Sequence, residues 1–142
     1  CLEALTSGTA IGRDATTAIQ AGQRGLLWSI YQEHGKVTAA DVTAAAEQGD
    51  AVAQQVLGKA GRFLAMGMLN IHRLLSPEAI IVGGGVVTES DALLRYADLA
   101  MADLHPTVRP RILQAKGGAV SGVRGSAAIV WEEIVGKVPH HV

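Results

Sequence analysis

Cysteine and aromatic residues are the scarce components of this chain. One Cys, one Phe, two Trp and two Tyr among 142 residues exclude a disulfide framework and an aromatic-rich core. A lone thiol fits a reducing compartment, so a cytoplasmic location is expected. With aromatics at 4% and hydrophobic residues at 49%, the interior must be filled by Ala, Val, Leu and Ile between closely spaced elements. Charge of one sign is also lacking. A net charge of −1 offers neither a basic face for nucleic acid nor an acidic tail. The apolar run around residues 80–82 is far too short to span a bilayer, and nothing resembles a signal peptide. No repeat or low-complexity tract occurs, and neither a nucleic acid nor a membrane is expected as a partner.

What is present reads as a helix-rich α/β chain. Residues 2–21 give one interrupted or two short helices, with breaks expected at Gly8 and Gly12. A short helix over 25–33 ends near Gly35. Thr38 is the expected N-cap of a helix over 39–48, which Gly49 stops, and Asp50 caps the longest one, over 51–75. In that helix Val52, Val56, Ala60, Phe63, Gly67, Ile71 and Leu74 recur at steps of three and four and predict one apolar stripe. Gly58, Gly61 and Gly67 each weaken a helix by about 1 kcal/mol relative to Ala, which implies a neighbour too close for a Cβ. Ser76-Pro77 ends it. Residues 79–82 predict a strand buried on both faces, and 111–115 a second. Between them, Thr88-x-x-Asp91 predicts a capping box for a helix to about Leu104, before Pro106. A last helix over 122–136 should turn Val123, Ala127, Val130 and Ile134 inward. Strand, helix, strand makes a parallel crossover unit. Two strands are few for such a sheet, and the chain opens at Cys1 with no initiator Met. The expectation is the back portion of a larger protein, with earlier strands preceding Cys1.

Chemistry concentrates at two places. Gly83-Gly84-Gly85 follows the predicted strand, where missing side chains let a backbone approach an adenine ring or a phosphate. A tight strand-to-helix turn needing φ > 0 explains the same glycines. They form neither a P-loop, since no Lys-Ser or Lys-Thr follows, nor a dinucleotide fingerprint, which needs a third glycine at another offset. Glu3 is a carboxylate in a first helical turn, where the helix dipole favours it with or without a ligand. Cys1 alone cannot make a metal site, which takes about four ligands. His34, His72 and His105 stand apart from one another, and His140 and His141 belong to a tail. The loop Gly117-Gly118 and the run Gly122, Gly125, Ser126 could border a ligand or a close-packed helix. No Ser/His/Asp set or carboxylate pair is readable.

Cys1-Leu2-Glu3-Ala4-Leu5 with Ser7-Gly8-Thr9-Ala10-Ile11 resembles the ROK family of bacterial sugar kinases and sugar-responsive repressors. The family signature ends in Cys-x-Cys-Gly-x-x-Gly-Cys-Leu-Glu, whose last cysteine would be Cys1. The similarity continues through residues 37–42, Gly49-Asp50, residues 76–85 and the closing Gly125-Ser126-Ala127-Ala128-Ile129. It implies the carboxyl-terminal lobe of an actin-like, ribonuclease-H-like kinase, with the amino-terminal lobe outside this chain. Glu3 then matches a glutamate that hydrogen-bonds sugar hydroxyls, and Gly83, Gly84 and Gly85 match an adenosine-binding motif. Cys1 matches one thiolate of a structural zinc site whose other ligands, two Cys and one His, lie upstream. The family's phosphate loop, catalytic Asp and sugar-binding Glu–His pair match nothing here, so no catalytic residue is assigned.

The resemblance favours the glucokinase-like branch: an ATP- and Mg²⁺-dependent hexose kinase, glucose the expected substrate. The alternative is the effector lobe of a repressor that binds sugar without phosphorylating it. The segment alone is expected to be inactive and free of tightly bound zinc. It should self-associate or pair with the missing amino-terminal part.

Overall fold

The computed structural model describes residues 1–116 and 118–135. The chain starts with two helices, α1 over Glu3–Thr6 and α2 over Gly8–Gln20. The break between them falls at Ser7, not at Gly8 or Gly12. Ser7 is extended and its hydroxyl accepts from the Ala10 amide at 3.2 Å, so a serine cap resets the helix. Gly12 lies inside α2 for another reason, since a Cβ there would sit 2.6 Å from the Val37 carbonyl oxygen.

The next three helices follow their punctuation. Helix α3 covers Leu26–His34 and stops at left-handed Gly35. Helix α4, Ala39–Glu47, begins with a full capping box in which Thr38 and Asp41 each serve the other's backbone amide. Those bonds from the Thr38 hydroxyl and amide hold the Asp41 carboxyl below its ordinary pKa. Asp50 caps α5, which runs over Ala51–Leu75 and ends at left-handed Ser76.

Helix α5 is the spine of the molecule. Its buried residues are Val52, Ala53, Val56, Leu57, Ala60, Gly61, Leu64, Ala65 and Met68. The expected stripe is correct through Ala60 and then shifts. Phe63 and Gly67 are half-buried, and Ile71 and Leu74 are exposed, because the C-terminal turns of α5 run past the elements that cover its first half. Helices α2, α4 and α7 (Ala92–Leu99) pack on this spine and close a core that includes Ile11, Val42, Leu57, Leu93 and Met101. Each large aliphatic side chain fully buried this way contributes about 1.5–3 kcal/mol.

The sheet consists, among the described residues, of β1 (Ile80–Val82) and β2 (Ile112–Gln114), parallel and in the register Ile80↔Ile112, Ile81↔Leu113, Val82↔Gln114. Only one face is covered. Ile80, Val82 and Ile112 pack against the core, whereas Ile81 is 68% exposed. The expectation of a strand buried on both faces is therefore wrong here, since no described element lies over the outer face.

Between the strands the expected single helix is two. Helix α6, Gly85–Glu89, contains Thr88, and α7 starts after Asp91. The Thr88–Asp91 box does not form. Ser90 instead accepts from the Ala92 amide at 3.1 Å, and α7 stops at Leu99, well short of Leu104. The last helix, α8, spans Ser121–Val135. Val123, Ala127 and Val130 do not point inward, Val123 being 72% exposed. Nothing among the described residues covers that helix. The Ile134 side chain, Gly136, His140 and His141 lie outside the described residues.

Candidate functional site

Three pieces of the chain meet around one cleft of about 470 Å³. One wall is the amino-terminal segment with Leu2, Glu3 and Thr6. The other is the turn from β1 into α6, Val82 through Val87. Buried Leu64 of α5 and Leu93 of α7 close the bottom. Two sequence-predicted groups far apart in the chain, Glu3 and Gly83–Gly85, thus line the same space.

The Glu3 wall is fixed by packing. Leu2 lies so close to α5 that a Cβ on Gly67 would come within 2.7 Å of its Cδ2. Gly8 faces the opposite wall, where a Cβ would stand 3.1 Å from Val86 Cγ2. Glu3 itself is exposed in the first turn of α1 and free to meet a ligand.

The three glycines have three different reasons to be glycine. At Gly83 a Cβ would lie 3.0 Å from the Ala115 Cβ, so a side chain there fits only if Ala115 gives way by a few tenths of an ångström. Gly84 has φ +115, a conformation that L side chains rarely adopt. Gly85 has neither constraint: nothing stands within 4 Å of its would-be Cβ. The turn explanation therefore accounts for Gly84 alone, close packing on Ala115 for Gly83, and Gly85 is left open to the cleft.

Cys1 is exposed and unpaired with another cysteine. Among the described residues no group of three or more His, Cys, Asp or Glu could hold a metal ion. The zinc implied by the family resemblance therefore finds a single ligand in these residues, and no role is derived from it. His34 is exposed, and His105 caps the short turn Pro106–Val108 through its Nδ1. His72 is half-buried on α5, its Nδ1 shielded and without a partner among the described residues. Gly122 and Gly125 face open space, so close packing of α8 does not explain them, and Gly117 lies outside the described residues.

Sequence reasoning missed Thr6, Leu64, Val86 and Leu93 as lining residues. Their contribution is shape, which leaves no motif. A second, smaller cleft of about 230 Å³ lies on the other side of Val86, between α4 and α6, lined by Ala39, Thr43 and Ser90 among others. Helix α6 thus has open space on both flanks.

The model of the ROK family matches residues 1–133. The chain belongs to the ROK family. Over 95 residues it is 38% identical to a glucokinase of Halalkalibacterium halodurans, covering 67% of this chain and 29% of that protein. It is 32% identical over 107 residues to an N-acetyl-D-glucosamine kinase of Shigella flexneri serotype 5b, covering 73% and 35%. The chain thus spans about a third of the length of these curated ROK relatives. Among solved structures, a ROK glucokinase from Streptomyces griseus in complex with glucose and AMPPNP superposes with a TM-score of 0.76 at 26% identity, over 91% of this chain and 44% of that one. A ROK transcriptional regulator, a homologue of the E. coli MLC protein, superposes with a TM-score of 0.64 at 26% identity, over 80% and 28%. The fold is accordingly the helix-rich α/β arrangement of actin-like ROK sugar kinases. No helix among the described residues is long and apolar enough to cross a membrane.

Proposed function

We propose that the chain is the nucleotide-side part of an ATP-dependent hexose kinase. The observation that carries this is the single cleft shared by Glu3 and Gly83–Gly85. A carboxylate can accept two sugar O–H groups, and a glycine with an open Cβ lets adenosine come close to the backbone. The likeness to a glucokinase solved with glucose and AMPPNP supports both assignments. Bound ATP would supply the phosphoryl group. The residues of this chain would hold the sugar hydroxyls through Glu3 and shape the nucleotide's seat through the glycine turn, catalysis resting on positioning and lobe closure. No residue here is assigned as the base that deprotonates the sugar, or to Mg²⁺ or zinc. Glucose is the substrate first in line, given the 38% identity to a glucokinase, with N-acetylglucosamine next. Residues 1–142 form one unit in this scheme, the partial carboxyl-terminal lobe, in a cytoplasmic enzyme that associates with its amino-terminal lobe or with further copies.

A second function has its own support in the likeness to a transcriptional regulator, namely a sugar-sensing lobe without phosphoryl transfer. A coupled ADP-release assay on the full-length protein carrying this sequence, run with glucose, mannose, fructose and N-acetylglucosamine, separates the two. ADP release that depends on one of these sugars supports the kinase. Sugar binding without turnover, together with sequence-specific DNA binding, would sink it in favour of the regulator.

A further inference from the structure

The glycine turn is held at both ends from the end of β2, by Gln114 and Ala115 before it and by the Gln114 side chain beyond it. Val82, the last residue of β1, is the ladder partner of Gln114, and the Ala115 amide donates to the Val82 carbonyl at 2.9 Å, carrying the pairing up to Gly83. Ala115 then meets Gly83 at the close approach described above. Past the turn, the Gln114 side chain crosses over, and its Nε2 donates to the Val87 carbonyl at 2.5 Å. A helix of five residues leaves its last carbonyls without helical donors, so this amide satisfies a group that α6 cannot serve itself. Within the turn, by contrast, Gly84 and Gly85 have nothing within 4 Å of a would-be Cβ. Gly84, at φ +115, has no side chain with which to fix its own conformation, so the shape of the turn depends on what holds its two ends.

We infer that Gln114 is a positioning residue for the nucleotide: by tying α6 to the end of β2 it holds the Gly83–Gly85 backbone in the shape that receives adenosine. This rests on the kinase function proposed above. Gln114 acts through the Val87 carbonyl and does not line the cleft. Nothing in its sequence context marks it, since a glutamine at a strand end is an ordinary polar residue.

The test uses Gln114→Leu, which keeps the bulk and removes the donor, in the full-length protein. Hydrogen exchange of residues 83–89 without any ligand reads the brace directly and should be at least fivefold faster in the variant, while α5 amides stay unchanged. Equilibrium titration with AMPPNP should show affinity falling about three- to tenfold, with sugar affinity unchanged and Tm barely moved. Gln114→Asn, a shorter donor, should recover part of the loss. Unchanged exchange at 83–89, or faster exchange with AMPPNP affinity intact, overturns the assignment. So does an equal loss of sugar and nucleotide affinity, which would mark a general structural role. If the unsubstituted protein binds no AMPPNP at all, the kinase function itself has failed, and that result is separate from any effect of Gln114.

Discussion

At Asp50 one carboxylate serves two helices. It is only 9% exposed, accepts from the Ala53 amide at 2.8 Å to start α5, and accepts from the Leu26 amide at 2.6 Å at the start of α3. Gly25 must lack a side chain because a Cβ there would collide with the Asp50 carboxylate. Asp50→Ala removes both bonds and leaves two amides to find other partners. A loss of roughly 2–4 kcal/mol is expected, about one cap plus one charged hydrogen bond, and urea melts should show it as a lower midpoint at unchanged slope. A loss under 0.5 kcal/mol would mean that water replaces the carboxylate at both ends. In the cleft, Glu3→Gln and Gly85→Ala form an expected pair of opposites in the full-length protein if the proposed kinase function holds. Glu3→Gln should cost about 1.5–3 kcal/mol in kcat/KM for the sugar with KM for ATP unchanged, the range for a hydrogen bond to a charged group. Gly85→Ala should weaken nucleotide binding while stability holds or rises, since an alanine there meets no protein atom and suits the first turn of α6. Gly84→Val is the poorer probe, because its φ of +115 strains any side chain and mixes folding with binding. Steady-state kinetics with each substrate varied in turn checks the pair, and identical effects on both substrates would return Glu3 and Gly85 to structural roles.

At the scale of elements, the contact of α5 with α7 separates glycines that look alike in sequence. A Cβ on Gly61 would lie 2.7 Å from the backbone and Cβ of Tyr96, whereas one on Gly58 would find ordinary contacts at 3.8 and 3.9 Å. Gly61→Ala should therefore cost about 1–3 kcal/mol by overpacking. Gly58→Ala should gain up to about 1 kcal/mol from helix propensity. Thermal melts of the two variants should move in opposite directions, and a shared direction would refute the α5–α7 packing. Helix starts and stops were legible in the sequence where a side chain or a glycine fixes them locally, as at Thr38, Asp50, Gly35 and Ser76-Pro77. They were misjudged where packing decides. The Thr88–Asp91 pattern meets the spacing of a capping box, yet Ser90 serves α7 and Val87 anchors α6 in the core, so two short helices replace one.

Over the whole molecule, apolar surface is distributed unevenly. The first half of α5 is covered on several sides, while Ile81 of β1 and Val123, Ile129, Val130 and Trp131 of α8 are exposed. The periodicity of α8 promised an inward face, but periodicity states only which residues share a side and not whether anything is placed against it. Catalysis by a two-lobed kinase needs base, phosphates and sugar held together. The 142 residues by themselves are accordingly expected to show no sugar-dependent ADP release. Turnover by this chain alone in the coupled assay would place a catalytic base among residues to which no such role has been assigned.

By itself the sequence determined the class of the molecule: helix-rich, aromatic-poor, with two parallel strands and a glycine turn after the first. These follow from composition, caps and local turn chemistry, which are written in neighbouring residues. Its Cys-Leu-Glu and triple-glycine motifs likewise named both walls of the cleft. Tertiary structure alone decided that Glu3 and Gly85, eighty-two positions apart, line one space. It also decided which glycine is held by strand packing, which by backbone angle and which by neither. Gln114 became meaningful only there, because a hydrogen bond across 27 positions depends on the parallel register of β1 and β2 and on nothing in its neighbours.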